Sequence, residues 1–296
     1  MAEIIQRDGT WTFDGDTVRI VPGSDKRVSL LRKSLGEIAV PLRALAGITF
    51  EQGRKSGRLR LRLREGADPL TRVAGGKLDD GSDPYQLTVE SDRTGVAEYV
   101  VDEVRNALLL DEVESGPTDR YLLPGPSLPI TMGAGDGTVT FDGEQIRLEW
   151  NWKTEESKSS RGMTTLAIRD VDSVEWRPSA GMENGFLRFV VGKGNSPAPK
   201  YDPLSVELYG FRKDPLMALV AAAVVARMPH PNAAPAAVPD LTKTADGADV
   251  PPQPAASGDD HDALLRRLRE LGELHQAGIL TEEEFTTAKQ AVLKRL

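Results

Sequence analysis

The sequence predicts a mainly β protein with helices, organised as two tandem copies of one unit followed by a linker and a helical hairpin. Three observations predict this organisation. A segment at 9–20 returns at 137–148, short β-type runs dominate each copy and end in a helical pattern, and residues 261–296 carry two helical stripes of apolar residues. A segment that recurs along a chain indicates a duplicated structural unit.

The duplicated segment is Gly9-Thr-Trp-Thr-Phe-Asp-Gly-Asp-Thr-Val-Arg-Ile20, which returns as Gly137-Thr-Val-Thr-Phe-Asp-Gly-Glu-Gln-Ile-Arg-Leu148. Both copies place Asp-Gly between alternating apolar residues. This pattern is typical of a β-hairpin, because glycine supplies the positive φ that the turn requires. We therefore expect repeat 1 at residues 1–112 and repeat 2 at 135–228, joined by a proline-containing linker at 113–134.

Repeat 1 is predicted to contain seven short strands followed by one helix. After the first hairpin, the β-type runs lie at 27–31, 36–41, 47–51, 58–64 and 85–90. The helix is predicted at 94–110. There Val96, Val100, Val104 and Leu108 recur every four residues, as on the apolar face of an amphipathic helix.

Repeat 2 is predicted to follow the same order. Its β-type runs lie at 138–141, 145–150, 164–168, 173–177, 186–191 and 205–209, and residues 153–160 are predicted to form an extended hairpin loop. A helix follows, with Asp214 predicted as its N-cap and Pro215 at its first position. The residues predicted to face the core are Leu216, Leu219, Val220 and Ala223.

The C-terminal part of the chain divides into a linker and a hairpin. Residues 229–260 are rich in Ala, Pro, Asp and Gly, a composition that predicts a disordered linker. Residues 261–296 are predicted to form two helices, the second of them opening with the capping box at 281–284. So small a hairpin cannot bury both apolar stripes alone. We therefore expect it to self-associate or grip a partner through Leu264, Leu268, Leu271, Leu274, Leu280, Phe285 and Val292.

Two parts of the sequence resemble known families. Residues 262–296 resemble the prokaryotic short C-terminal domain, SHOCT, through the run Leu274-His-Gln-Ala-Gly-Ile-Leu-Thr-Glu-Glu-Glu-Phe285. This resemblance implies an appended module for oligomerisation or partner binding, without catalytic residues. The paired Thr-x-Thr-Phe-Asp-Gly motifs and the strand order resemble an actinobacterial domain-of-unknown-function family (DUF4429) that occurs in tandem before such a tail. It implies a pleckstrin-homology-like (PH-like) fold, a bent barrel of seven strands closed at one end by a helix.

Composition excludes several classes of site. The chain has no cysteine, which excludes disulfides, thiolate nucleophiles and cysteine zinc sites, and its histidines are His230, His261 and His275, all beyond repeat 2. The net charge is −8 and no segment is a basic domain, so we expect no nucleic-acid partner. The glycine-rich run at 133–137 precedes a strand instead of opening a helix, so it predicts a turn and not a phosphate loop.

Composition and motifs also argue against catalysis and against a membrane span. Acidic pairs such as Asp79-Asp80 occur on any acidic surface, and nothing in the sequence places two carboxylates across a cleft. We therefore expect no enzyme, no cofactor and no metal. The longest apolar run, 216–226, is far shorter than the roughly 20 residues of a membrane-spanning helix. Since no secretory signal opens the chain, we expect a cytoplasmic protein.

Arginines alternate with leucines on one predicted strand of repeat 1. This arginine row consists of Arg58, Arg60, Arg62 and Arg64. One interpretation is a site for an anionic lipid headgroup or an acidic protein segment, since the guanidinium fork suits phosphate and carboxylate. The other, which we favour, is a solvated strand face whose charges nearby Asp and Glu balance, because repeat 2 retains only Arg188 on the matching strand. Trp150, Trp152 and Trp176 are assigned to core or edge packing.

The sequence thus predicts a non-enzymatic scaffold or adaptor. It would bind protein partners through the PH-like repeats and self-associate or dock through the SHOCT hairpin. The alternative is a peripheral membrane adaptor that binds anionic lipid through the strand face Arg58–Arg64.

Overall fold

The computed structural model describes residues 1–192, 194 and 196–233. It shows a mainly β protein in two halves, each of which ends in a helix, so the predicted fold class is confirmed. Within this part of the chain no helix is both long enough and apolar enough to cross a membrane. The remainder of the linker, from residue 234, and the predicted hairpin at 261–296 lie outside the described residues.

Repeat 1 contains seven strands and three helices. In chain order they are β1 Ala2–Gln6, β2 Gly9–Phe13, β3 Thr17–Pro22, α1 Leu30–Leu35, β4 Ile38–Pro41, β5 Leu45–Glu51, β6 Ser56–Leu63, α2 Pro69–Ala74, β7 Gln86–Glu90 and α3 Thr94–Leu110. The strands form two antiparallel sheets, ordered β1-β2-β3-β4 and β5-β6-β7. Val100 and Val104 of α3 are buried in one cluster with residues of both sheets, so the core of repeat 1 lies between the sheets and this helix.

Repeat 2 shows the same order of strands. Its elements are β8 Ile130–Ala134, β9 Gly137–Phe141, β10 Gln145–Trp150, α4 Glu156–Ser159, β11 Thr164–Ala167, β12 Ser173–Arg177, β13 Gly185–Val190, β14 Ser205–Leu208 and α5 Met217–Val225. The sheets are ordered β11-β10-β9-β8 and β12-β13-β14. Short 3-10 turns precede β5, α3, β12 and α5.

The duplicated hairpins form as predicted. Oδ1 of Asp14 accepts hydrogen bonds from the backbone N–H groups of Asp16 and Thr17, and Oδ1 of Asp142 accepts from Glu144 and Gln145. These backbone donors favour the charged carboxylate and lower the pKa of both Asp14 and Asp142. The same aspartate therefore sets the turn in both repeats.

One predicted strand of repeat 1 is wrong. Residues 27–31 do not form a strand; they lead into α1, where the Ser29 hydroxyl accepts a hydrogen bond from the Arg32 backbone N–H and caps the helix. The seventh strand is instead β1, which precedes the predicted Asp-Gly hairpin and was not predicted from the sequence. Repeat 2 repeats this omission with β8, directly after Pro129.

Two local predictions in repeat 2 are also wrong. The segment 153–160 is not a simple loop, because it contains α4. Asp214 does not cap the final helix: its Oδ2 accepts hydrogen bonds from the N–H groups of Gly210 and Phe211, which precede it. Asp214 thus fixes the loop that leads into the helix instead of the helix end itself.

Helix α5 is buried on all sides. Each of its nine residues, Met-Ala-Leu-Val-Ala-Ala-Ala-Val-Val, is buried, and a helix without a polar face must be covered all round. One side packs on strands of repeat 2, including β8 and β12, and α2 of repeat 1 packs against it as well. Leu70 and Ala74 of α2 belong to the same buried cluster as Phe141 and Trp176 of repeat 2. The two repeats therefore share a core, and the predicted apolar face of α5 was only part of its buried surface.

A buried carboxylate fixes α2 in place. Asp68 accepts hydrogen bonds from the backbone N–H groups of Leu70 and Thr71, and from the Tyr85 hydroxyl at 2.9 Å. Burial raises the pKa of Asp68, against the lowering effect of these donors. The cap ties the first turn of α2 to the residue that precedes β7.

The segment between the repeats packs on repeat 1. The N–H groups of Leu122 and Leu123 donate to the Ala67 carbonyl, and Leu123 is buried. Beyond α5, the His230 ring meets Tyr121 edge to face at 4.7 Å between centroids, and His230 Nε2 lies 3.1 Å from the Gly66 carbonyl oxygen of repeat 1. The residues on either side of repeat 2 are therefore anchored to repeat 1.

Truncation of Leu70 tests the shared core. We expect Leu70→Ala to lower the free energy of unfolding by about 2–5 kcal/mol, because it leaves a cavity beside α5. Arg72→Ala, on the exposed side of the same helix, should change it by no more than about 0.5 kcal/mol. Urea unfolding with hydrogen exchange would measure both effects. If the α5 amides keep full protection in Leu70→Ala while repeat 1 loses stability, the two repeats do not share a core.

Candidate functional site

Arg58, Arg60 and Arg62 lie on β6, and Arg64 follows its last residue. Leu59 and Leu61 between them are buried, as the alternation predicts. The guanidinium groups are not equally free. Arg58 Nη2 lies 2.7 Å from Asp80 Oδ2, and Arg60 Nη2 lies 3.6 Å from Asp80 Oδ1. Arg58 and Arg60 thus share one aspartate, whose single negative charge offsets one of their two positive charges. These pairs remain about half exposed and add little to stability.

The other two members of the row differ from each other. The Arg64 side chain is only 11% exposed: its Nε donates to the Gly116 carbonyl at 2.8 Å and its Nη1 to the Arg43 carbonyl at 3.1 Å, while Nη2 lies near Glu114. Arg64 therefore holds the inter-repeat segment. Arg62 is the member with no ion pair or hydrogen bond from its side chain to another described residue. The row is consequently not a uniform cationic face.

Repeat 2 contains a buried ion pair that the sequence reading did not identify. The Lys158 side chain is fully buried, and its Nζ lies 2.6 Å from Asp136 Oδ2 and 2.7 Å from the Ser205 carbonyl. It also lies 4.5 Å from the centre of the Trp150 ring. Oδ1 of Asp136 accepts a hydrogen bond from the Glu207 N–H in β14. Burial raises the pKa of Asp136, and Lys158 opposes that rise.

Repeat 1 contains the matching arrangement. Arg32, whose side chain is 4% exposed, donates from Nη2 to the Asp8 carbonyl at 2.9 Å, and its Nη1 lies 3.5 Å from Asp8 Oδ2. Asp8 Oδ2 accepts from the Thr88 N–H in β7. In both repeats an aspartate in the turn between the first two strands joins a cation from the short helix after the third strand to the last strand of the other sheet. We call these two arrangements the sheet anchors, and their contacts give them an architectural role.

Sequence reasoning could have found half of each anchor. Asp8 and Asp136 stand at the same position before the duplicated glycine, Gly9 or Gly137, so the repeat itself marks them. The cations do not align in the same way, since one is an arginine and the other a lysine on helices of different length.

A group of aromatic and basic side chains, exposed except for the half-buried Tyr209, lies on two loops of repeat 2. This aromatic–basic cluster consists of Trp152, Lys153, Tyr209 and Phe211. Lys153 Nζ lies 4.7 Å from the centre of the Phe211 ring, 5.5 Å from that of Trp152 and 5.9 Å from that of Tyr209. Trp152 is 88% exposed, which corrects its assignment to packing, whereas Trp176 is buried and Trp150 half-buried as expected.

Both loops of the cluster are held by hydrogen bonds. Asn151 Nδ2 donates to the Gly135 carbonyl and Asn151 Oδ1 accepts from the Lys153 N–H, while Asp214 holds the loop that carries Phe211. Burial raises the pKa of Tyr209, as do the nearby carboxylates, so its hydroxyl stays protonated. Exposed aromatic side chains beside basic ones are typical of binding surfaces, where Trp, Tyr and Arg contribute most.

The remaining predictions concern the glycine-rich run, metal binding and oligomerisation. The glycine-rich run at 133–137 contains the predicted turn, formed by Gly135 and Asp136 between β8 and β9. Within the described residues, no three His, Cys, Asp or Glu side chains are placed to hold a metal ion. The candidate oligomerisation residues, from Leu264 to Val292, lie outside the described residues.

Removal of the lysine from the sheet anchor of repeat 2 should be strongly destabilising. We expect Lys158→Met to lower the free energy of unfolding by about 3–5 kcal/mol at neutral pH, because Asp136 is left as a buried, unpaired charge. Without the lysine the pKa of Asp136 rises further. A carboxyl with a raised folded-state pKa stabilises the fold when it is protonated and loses that contribution as pH rises through this pKa. The deficit relative to the wild type should therefore shrink as the pH is lowered.

Denaturant unfolding of Lys158→Met and wild type at several pH values would measure this dependence. Lys200→Met is the matched control, since Lys200 forms an exposed pair with Glu155 and its loss should matter little. A deficit that is independent of pH, or no larger than that of Lys200→Met, would contradict the anchor role.

Comparison with known families gives two matches. The model described as Domain of unknown function (DUF4429) matches residues 11–105 and 139–225, and the model described as Short C-terminal domain matches residues 266–293. No curated protein matches the chain. The first family covers more than half of the chain, and its two segments fall on the two repeats. The chain therefore belongs to the DUF4429 family, with two copies of that domain followed by a short C-terminal domain.

Proposed function

We propose that the protein is a non-enzymatic adaptor, in which the two repeats form one binding platform and the short C-terminal domain assembles copies of the chain or holds a partner. The shared core of α2 and α5 carries this proposal. Residues Met1–Ala236 form one compact unit, so the surfaces of the two repeats act together and not as separate domains on a flexible linker.

The use of the polar side chains supports binding over catalysis. Buried charged groups of both repeats, among them those of the sheet anchors, Asp68 and Asp214, are engaged in holding strands, helices and loops. Exposed aromatic and basic side chains are instead presented on fixed loops. Seven strands followed by a helix in each repeat also support a PH-like scaffold, and a cytoplasmic adaptor would use such a scaffold to display its loops.

The membrane alternative is less well supported at the arginine row. Attraction to an anionic bilayer depends on the number of free basic groups, at about 1 kcal/mol for each near the surface. Arg58 and Arg60 are paired with Asp80 and Arg64 is largely buried. We therefore propose protein partners in preference to lipid for this adaptor.

Light scattering after size exclusion tests the assembly step. We expect the full chain to be a multimer and a chain that ends at Asp240 to be a monomer, because the apolar stripes of the hairpin need a partner. A full-length variant with Leu271→Asp and Leu274→Asp should match the shortened chain, which separates loss of apolar contacts from loss of length. Equal masses for all three proteins would contradict assembly through the hairpin.

A further inference from the structure

Three grooves meet along the junction of the two repeats. The first, of about 430 Å³, lies between the glycine-rich turn at 133–137 and the loop of Phe211 and Arg212. The second, of about 370 Å³, shares Phe211 and Arg212 and is bordered by Arg27 and Gly81 of repeat 1. The third, of about 460 Å³, shares Arg27 and Gly81 and extends to Lys55. We call the three together the junction groove.

The two sides of the junction groove are held together. Arg212 Nη2 donates to the Lys26 carbonyl of repeat 1 at 3.2 Å. The shared core beneath fixes the repeats to each other through α2 and α5. A ligand that lies along this path would therefore meet a preformed surface, which lowers the cost of ordering on binding.

The basic groups of the junction groove lack partners. The side chains of Arg27, Lys55 and Lys213 are exposed, and none of them makes a hydrogen bond or ion pair to another described residue. In the described part of the chain, the ammonium group of Lys153 contacts only the aromatic rings of the aromatic–basic cluster. Four cations thus line the path without an ion pair to another described residue.

Each acidic side chain along the same path already accepts a hydrogen bond or forms an ion pair. Asp25 accepts from the Arg27 N–H, Asp79 from the Ser82 N–H, and Asp214 from the loop before it. The other two form ion pairs: Asp8 with Arg32 and Glu90 with Arg7. These carboxylates keep their charge, but seven basic side chains line the three grooves against five acidic ones. The lining is therefore net positive on a chain whose net charge is −8, and a positive groove concentrates anionic ligands.

We propose that the junction groove binds an extended acidic segment of a partner protein. Its carboxylates pair with Lys213, Arg27 and Lys55 in turn, and an apolar side chain packs on Phe211 and Trp152. Three adjoining grooves give more length than one lipid headgroup fills. The inference deepens the proposed adaptor function by naming the class of partner and the surface that receives it.

Fluorescence anisotropy of the full chain with a fluorescein-labelled peptide tests the proposal. The probe is a peptide of aspartates and glutamates with leucines at its centre, used at low ionic strength and again at high salt. We expect saturable binding that weakens with salt. Arg27→Glu with Lys213→Glu should weaken binding at least about tenfold, because like charges replace attraction at two positions along the path. Phe211→Ala should weaken it without changing the salt dependence.

The matched control is Arg93→Glu with Arg169→Glu, which makes the same change of charge at one exposed position in each repeat outside the groove. Circular dichroism should show that both double variants fold. An equal loss of binding in the control, or no binding by the wild type, would overturn the proposal.

Two further outcomes would assign the groove to another occupant and overturn the proposal. In one, the groove variant loses co-sedimentation with phosphatidylserine vesicles while the peptide never binds. In the other, the peptide binds a chain that ends at Asp240 but not the full chain, which would make the acidic C-terminal residues the occupant. Light scattering of the groove variant should match the wild type, so failure here is separable from failure of assembly.

Discussion

The absence of a polar face on α5 is the constraint on which the arrangement of the repeats depends. Nine consecutive apolar residues cannot lie on a surface, and the sheets of repeat 2 cover only part of the helix. The rest is covered by α2, which Asp68 and Tyr85 fix to repeat 1. Helix α2 of repeat 1 thus covers the apolar surface of α5 that the sheets of repeat 2 leave uncovered. This contact joins the two repeats into one platform.

The sheet anchors show how duplication preserves a geometry while its residues change. Asp8 and Asp136 keep their position and their hydrogen bond to the last strand, but the cation is Arg32 in one repeat and Lys158 in the other. Buried ion pairs seldom add much net stability, because the charges must be desolvated. Their contribution here is to fix how the two sheets of each repeat meet.

Much of the fold could be predicted from local signals, and the errors have local causes. The Asp-Gly hairpins and α3, whose apolar residues recur every four positions, are present in the structure as predicted. β1 and β8 were missed because their sequences, Ala-Glu-Ile-Ile-Gln and Ile-Thr-Met-Gly-Ala, do not alternate strictly between apolar and polar residues. Residues 27–31 were misread because Ser29 can cap a helix, and a cap signal competes with β-type composition.

The candidate site was harder to predict than the fold, because it depends on which charges find partners. Sequence alternation placed Arg58 and Arg60 on an outer face but could not show that Asp80, distant along the chain, lies beside them. It likewise could not show that Trp152 is exposed while Trp150, two residues earlier, packs near Lys158. Pairing and exposure are set by tertiary contacts between loops, which carry little periodic signal.

Helix α2 also limits how far the repeat can be propagated. Between β13 and β14 of repeat 2, at the position where repeat 1 carries α2, the described residues contain no helix. A third unit appended after α5 would therefore find no such insertion on repeat 2 to cover its own final helix. The final helix of repeat 1, α3, needs none because one side of it is polar. The contact runs in one direction, from α2 of repeat 1 to α5 of repeat 2, so a tandem array built on it stops at two units.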